Sequence, residues 1–326
     1  MQIEKPKRLA YYFDTSIYNS VLDYPKIGDY IQELCDIKNA QIFVSPINIE
    51  EFKLAPQAKR IQLFGILKRY KDHLVLLRRP ELLEELEYLQ AFAGGKFERN
   101  EILEKDESEL KKFSAFIDNP NLDVSEEEKR TIELTRLRNK YNQLTLRKEP
   151  KIIFDASVIK NSSSELFSLS AEELKEKIKN YKLDHLNKPY EEKDIINAMR
   201  ITIILKLSSK RPQILYFFRG TEKAHPMFRF WWPGKKDDQR VAGQIMSLDF
   251  KKYCPGTWCK YNVYYKQPLV SIEPSNWGDL SHAFYVPYVT FFLTNDKEFF
   301  NMLGSINIAG FDYCGKVFYF NRILNG

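Results

Sequence analysis

Four acids in this sequence stand where carboxylates can do chemistry. Asp14 closes the apolar run "RLAYYFD", and Asp296 follows "TFFLT". Glu51 lies six residues after Ser45 in "SPINIEEF", and Asp279 opens "GDLSHAFYVPYV" seventeen residues before Asp296. Carboxylates gathered in one small volume repel, and some are forced to stay protonated. A hard divalent cation removes that conflict, because Mg²⁺ and Mn²⁺ prefer oxygen ligands and retain waters. Such an ion neutralises phosphate charge and lowers the pKa of an attacking water, so the expected chemistry is phosphoryl transfer to water. Thr15, Ser16, Asn19, Thr294 and Asn295 add short polar side chains able to orient waters or carboxylates.

Each acid also has a plain structural role open to it. Asp14 and Asp296 sit where a turn or helix cap is needed, and Asp279 suits a first helical turn. Glu50 and Glu51 suit a first turn as well, where the helix dipole favours acids. Only the convergence of Asp14, Glu51, Asp279 and Asp296 selects the metal reading. His282, one helical turn from Asp279, is placed to bind phosphate, bond Asp279 or pack in the core. Asp155 in "IIFDASVIKN" mimics Asp14, but no Ser-to-Glu partner after a strand follows it.

These side chains need a scaffold that collects strand ends. The N-terminal part alternates: "RLAYYFD" as strand, "PKIGDYIQELCDIKN" as helix, "AQIFVS" as strand. "SPINIEEFKLA" then opens a helix with Ser45 as N-cap and Pro46 at its first position. The end of the chain alternates again, with "GDLSHAFYVPYV" as helix, "TFFLT" as strand, "DKEFFNML" as helix and "GKVFYF" as strand. This pattern predicts right-handed βαβ units around a parallel sheet, whose sites lie outside the carboxyl ends of the strands. Between the two parts, "RIQLFGILKRYKDH", "RPELLEELEYLQAFAG" and "SEEEKRTIELTRLRNKYNQLTLR" have helical spacing with charged outer faces. The organisation expected is an α/β core at 1–55 and 265–326, interrupted by a mainly α-helical insertion at 56–264.

Within that insertion, 213–240 interleaves aromatics with cations, among them Arg219, Arg229, Trp232, Lys235 and Lys236. Such a mixture suits stacking on single-stranded bases and contact with phosphates. A hydrophobic strand pair with a charged turn is the competing reading.

Length and composition set the outer bounds. The 326 residues, 44% hydrophobic and 29% charged, suffice for a substantial core of a globular protein. No apolar run reaches membrane-spanning length, and the charged start lacks a secretory h-region, so a cytoplasmic protein away from membranes is expected. Cys254 and Cys259 sit close together, but Cys35 and Cys314 lack paired spacing, which suggests reduced thiols rather than a disulfide framework or zinc site. A net charge of +6 suits a polyanionic partner.

With these residues in place, the chain resembles the PIN-like domain nucleases. "FDTSIYNSVL" resembles their opening strand and loop, "VSPINIEEF" their second acidic motif, and "GDLSHAFYVPYVTFFLTNDKEF" their third and fourth. The resemblance covers roughly residues 8–55 and 270–322; over 200 residues separate its second and third acids, unlike compact PIN toxins. It implies a PIN-like parallel sheet flanked by helices, with Asp14, Glu51, Asp279 and Asp296 as catalytic metal ligands. Thr15, Ser16, Thr294, Asn295 and His282 would support them. It implies an endoribonuclease using Mg²⁺ or Mn²⁺, with RNA, transfer RNA included, as substrate, and an in-line loss of the 3′ oxygen. A toxin or antiviral-defence role, a restraining or activating protein partner, and an oligomer are compatible with it. Two other functions fit the same residues: a non-catalytic PIN-like interaction module, and a structure-specific DNA nuclease.

Overall fold

The structure is a computed structural model. It describes residues 9–319 except 39, 93–94, 96, 98, 120–123, 149–168, 180–190, 194, 197–198, 201–246, 267–276 and 307–315. Among the described residues, five strands form one all-parallel sheet in the order β3-β2-β1-β4-β5. These are β1 (Ala10–Phe13), β2 (Gln41–Val44), β3 (Leu74–Leu76), β4 (Phe291–Thr294) and β5 (Lys316–Tyr319). Tyr11 pairs with Ile42 on one side and Phe291 on the other, which makes β1 the central strand. All four of its residues are buried, as expected for a strand covered on both faces.

Side chains of a strand alternate between faces, and here the alternation divides the core in two. Ala10, Tyr12, Phe43 and Phe292 join one hydrophobic cluster, whereas Tyr11, Phe13, Ile42, Val44 and Leu293 join the other. The second face is covered by α1 (Thr15–Asp23), α2 (Pro25–Lys38), α3 (Pro46–Leu54), α4 (Gln57–Arg69) and α6 (Glu107–Asp118). The first face is covered by α5 (Pro80–Phe92), α9 (Phe250–Tyr253), α10 (Pro255–Lys266), α11 (Trp277–Ala283) and α12 (Lys297–Gly304). Two further helices, α7 (Glu126–Lys148) and α8 (Ala171–Lys179), pack on each other through Leu137, Ala171 and Leu174. Crossovers of fixed hand require this split: helices after β1 and β2 fall on one face, those around β4 and β5 on the other. The direction of travel reverses between β1 and β4, so the switch point lies beside Asp14.

The parallel α/β sheet is therefore as expected, and so are the helices at Pro25–Lys38, Pro46–Leu54 and Lys297–Gly304. Two details differ from the sequence reading. The third strand, β3, comes from the stretch assigned to the insertion, so the sheet runs on past residue 55. Its three residues, Leu-Val-Leu, are too few to show a period of two, and a preceding amphipathic helix hides them. "GDLSHAFYVPYV" is not one helix: α11 stops at Ala283, and a 3₁₀ turn at Val286–Tyr288 follows, with Pro287 unable to donate into a longer helix. The aromatic and basic segment 213–240 and Asp155 lie outside the described residues.

Candidate metal centre

Asp14 leaves the carboxyl end of β1 and its amide still donates to Leu293 O of β4, at 3.1 Å. Its carboxylate turns back as the N-cap of α1, where Oδ1 accepts from Ile17 N at 3.3 Å and Ser16 Oγ at 2.5 Å. The residue is 4% exposed. Burial pushes the carboxyl up to about 6, against the pull of His282, Ser16, Thr294 and the Ile17 amide. Asp14 is thus an acid whose charge the surrounding protein only partly compensates.

Glu51 reaches the same region from α3, whose start is fixed by Ser45. The Ser45 hydroxyl accepts from Asn48 N, and Asn48 Oδ1 accepts from Ser45 N, a reciprocal cap. Asn48 also donates to Phe13 O at 3.2 Å and Thr15 Oγ1 at 3.4 Å, which ties α3 to the end of β1. Glu51 Oε2 accepts from the Thr15 hydroxyl and lies 3.3 Å from His282 Nε2; Oε1 lies 3.4 Å from Arg136 Nη2. Burial raises the Glu51 carboxyl, but the His282 hydrogen bond and charge, Arg136 and Thr15 outweigh it and leave it below its ordinary value. Two neighbouring acids therefore sit in opposite electrostatic states.

His282 is held from behind. Its Nδ1 is 2.5 Å from the Tyr12 hydroxyl, which is 2.7 Å from Ser45 Oγ. The Ser45 hydroxyl also donates to Asn48 Oδ1 at 3.0 Å, so Asn48, Ser45, Tyr12 and His282 form one continuous buried hydrogen-bond chain that ends at Glu51. Tyr12 and Ser45 are fully buried and His282 nearly so. The chain Ser45–Tyr12–His282–Glu51 therefore fixes the ring with Nε2 on the carboxylate.

Asp279 lies in the first turn of α11 and Asp296 caps α12, with Oδ1 accepting from Phe299 N at 2.8 Å. Asp296 is exposed, and its side chain performs the capping role open to it in the sequence. Thr294 Oγ1 accepts from Asp296 N, while Asn295 N donates to Ser16 Oγ and Asn295 Nδ2 to Ser20 Oγ. Thr15, Ser16, Thr294, Asn295 and His282 are thus all bonded within the end of the sheet that holds Asp14 and Glu51. Among the described residues, no three His, Cys, Asp or Glu side chains stand together as a ready metal cage. The donor chemistry nevertheless suits a hard cation: Asp14 and Glu51 offer carboxylate oxygens. The buried Oδ1 atoms of Asn19 and Asn295, on chain segments bonded to Asp14 or next to it, have no hydrogen-bond partner.

Tyr12, Asn48, Ser20, Gly278 and Arg136 were not legible as site residues. Asn48 carried one signal, its place three residues after an N-cap Ser. Gly278 is needed because a methyl there would overlap Glu51 Oε1. Arg136, on a helix of mixed charge, carried none. The nucleic-acid candidates Arg219, Arg229, Trp232, Lys235 and Lys236 lie outside the described residues. Among the described residues, no helix is long and apolar enough to cross a membrane. No protein-family model, no curated protein and no solved structure matches this chain.

Proposed function

We propose that this protein is a metal-dependent nuclease of PIN-like type that hydrolyses RNA phosphodiester bonds. The observation that carries the reading is the meeting of Asp14 and Glu51 through Thr15 and His282 at the switch point of a parallel sheet. Asp14 and Glu51, with Asp279 and Asp296 at the adjoining helix starts, would hold Mg²⁺ or Mn²⁺. When bound, such an ion supplies phosphate charge neutralisation and water activation. The chain's own residues do the positioning. Ser16 and the Ile17 amide fix one oxygen of Asp14, and Thr15 fixes one oxygen of Glu51. Tyr12 sets the His282 ring, whose Nε2 faces the same carboxylate. RNA as the substrate, a toxin or defence role, and a regulating protein partner follow from the family resemblance rather than from this geometry.

The second reading is a non-catalytic interaction module. It is favoured by one fact: Glu51 is compensated by the chain itself, through Arg136 and His282. The two readings separate on Mg²⁺-dependent cleavage of labelled transfer RNA, single-stranded RNA and flap DNA. Cleavage of RNA that Asp14→Asn lowers roughly 10³-fold is expected, since loss of several kcal/mol of charge stabilisation is a thousandfold in rate. Cleavage of flap DNA alone would replace RNA by DNA as the substrate, and no cleavage together with no saturable Mn²⁺ heat would leave the module.

A further inference from the structure

Glu51 is compensated by a cation from a part of the chain far from the sheet. Arg136 lies in the middle of α7, 85 positions beyond Glu51, and α7 packs against both α3 and α11. These are the two helices that carry Glu51 and His282. The Arg136 and Glu51 side chains are 20% and 16% exposed, so their ion pair is mostly withdrawn from water. A second ion pair, Lys53 Nζ to Glu128 Oε1 at 2.6 Å, pins the first turns of α7 to the end of α3. Along its outer side α7 is bonded to α8, through Lys175 and Glu133 at 2.6 Å and through Leu137 with Leu174. The α7–α8 pair is thus attached to the site by charge and to itself by apolar packing.

A guanidinium at a carboxylate oxygen repels a divalent cation approaching that oxygen and competes with it for the same negative charge. Arg136 stands at Oε1, while Thr15 and His282 hold Oε2. Resting on the nuclease reading above, we infer that α7 is a built-in latch: Arg136 is the resting counter-ion of Glu51 and is displaced from it when a metal ion binds. The apo protein then has no unpaired acid at Glu51 to destabilise it, and metal affinity is set by competition with the helix. Anything that lifts α7, substrate RNA or a protein partner, would raise that affinity.

The test is titration calorimetry of the full chain with Mn²⁺, comparing the wild type with Arg136→Gln. The latch predicts about tenfold tighter Mn²⁺ binding in the variant, the weight of a partly buried ion pair above the exposed median. It also predicts faster hydrogen exchange along α7 in the wild type once Mn²⁺ is added. Equal or weaker binding in Arg136→Gln overturns the latch and leaves the metal site standing. No saturable Mn²⁺ heat in either protein overturns the nuclease reading and the latch with it. Should Arg136→Gln fail to fold, Glu128→Gln loosens α7 without touching the acids. About twofold tighter binding with faster α7 exchange supports the latch there, and unchanged binding overturns it.

Discussion

Glu51 and Glu87 are both glutamates withdrawn from water on helices, and the protein treats them in opposite ways. Glu87, on α5, receives four donors on its two oxygens. Gly256 N and Thr257 N donate at 2.7 and 2.8 Å, the Thr257 hydroxyl at 2.5 Å, and the Tyr288 hydroxyl completes the set. Two of these are amides at the start of α10, where the helix dipole favours an anion. Burial still pushes the carboxyl up to about 8. Glu51 has no backbone donor among its recorded partners; it has a hydroxyl, an imidazole and a guanidinium, and its carboxyl falls below its ordinary value. Backbone amides cannot leave, whereas side chains can. The Glu87 cluster is a fastening between α5 and α10, whereas Glu51 is held by side chains.

That contrast can be broken first at its rigid end. Glu87→Ala removes the acceptor of two buried amides and two hydroxyls, leaving only the longer Gly256 N bond to Tyr288 Oη, and is expected to destabilise the fold by about 4 kcal/mol in urea unfolding. Glu51→Gln should lower stability by only about 1 kcal/mol, because the amide keeps the shape of the carboxylate and its oxygen still accepts from Thr15, yet abolish the Mn²⁺ heat. Equal losses from the two would remove the distinction.

The glycines beside the two glutamates sharpen it further. A methyl on Gly256 would lie 2.8 Å from Phe284 O and from the Phe284 and Tyr288 rings, which have nowhere to go. At Gly278 the obstacle is the end of the flexible Glu51 side chain. Gly256→Ala should therefore cost roughly 3 kcal/mol and Gly278→Ala about 1, the latter with weakened Mn²⁺ binding. Thermal unfolding and calorimetry of the pair decide it, and the reverse ranking would refute the argument.

Asp14 provides a test by pH. Its carboxyl, at about 6 in the fold and 3.8 in the ordinary state, binds more protons folded than unfolded between those values. Stability contributed by the protonated form is therefore full below about pH 4 and lost as pH rises through 6, on the order of 2–3 kcal/mol. Asp14→Asn should be more stable than the wild type at pH 7 by up to that amount, and the gap should close near pH 4. A gap that is flat with pH in denaturant titrations would contradict the burial of an under-compensated acid.

The smallest effect belongs to Asp296. Asn caps a helix as well as Asp, so Asp296→Asn should change stability by less than about 0.5 kcal/mol. If Asp296 also ligates metal, the same variant weakens Mn²⁺ binding measurably; unchanged binding would reduce it to a cap.

Much of the scaffold could be read before any coordinates. Ser45 followed by Pro46 marked the start of α3, and the apolar run "RLAYYFD" marked a strand ending in an acid, because both signals are local. β3 could not be read, since three apolar residues have no period of their own. Asp14, Thr15, Ser16 and Glu51 were recognisable from their strand and helix contexts. Arg136 and Tyr12 were not, because what gives them meaning is a partner 85 and 270 positions away.

The amino-acid order alone determined the alternating elements, the caps at Asp14, Ser45 and Asp296, and the placing of acids at strand and helix ends. Each of these depends on interactions within a few residues. Which acids meet, and what neutralises each of them, was decided only by folding. The strand order set Asp14 beside β4, the close approach at Gly278 brought α11 onto Glu51, and the docking of α7 supplied Arg136. Electrostatics between charges depends on distance in space, and that distance does not exist along the chain until the sheet has formed.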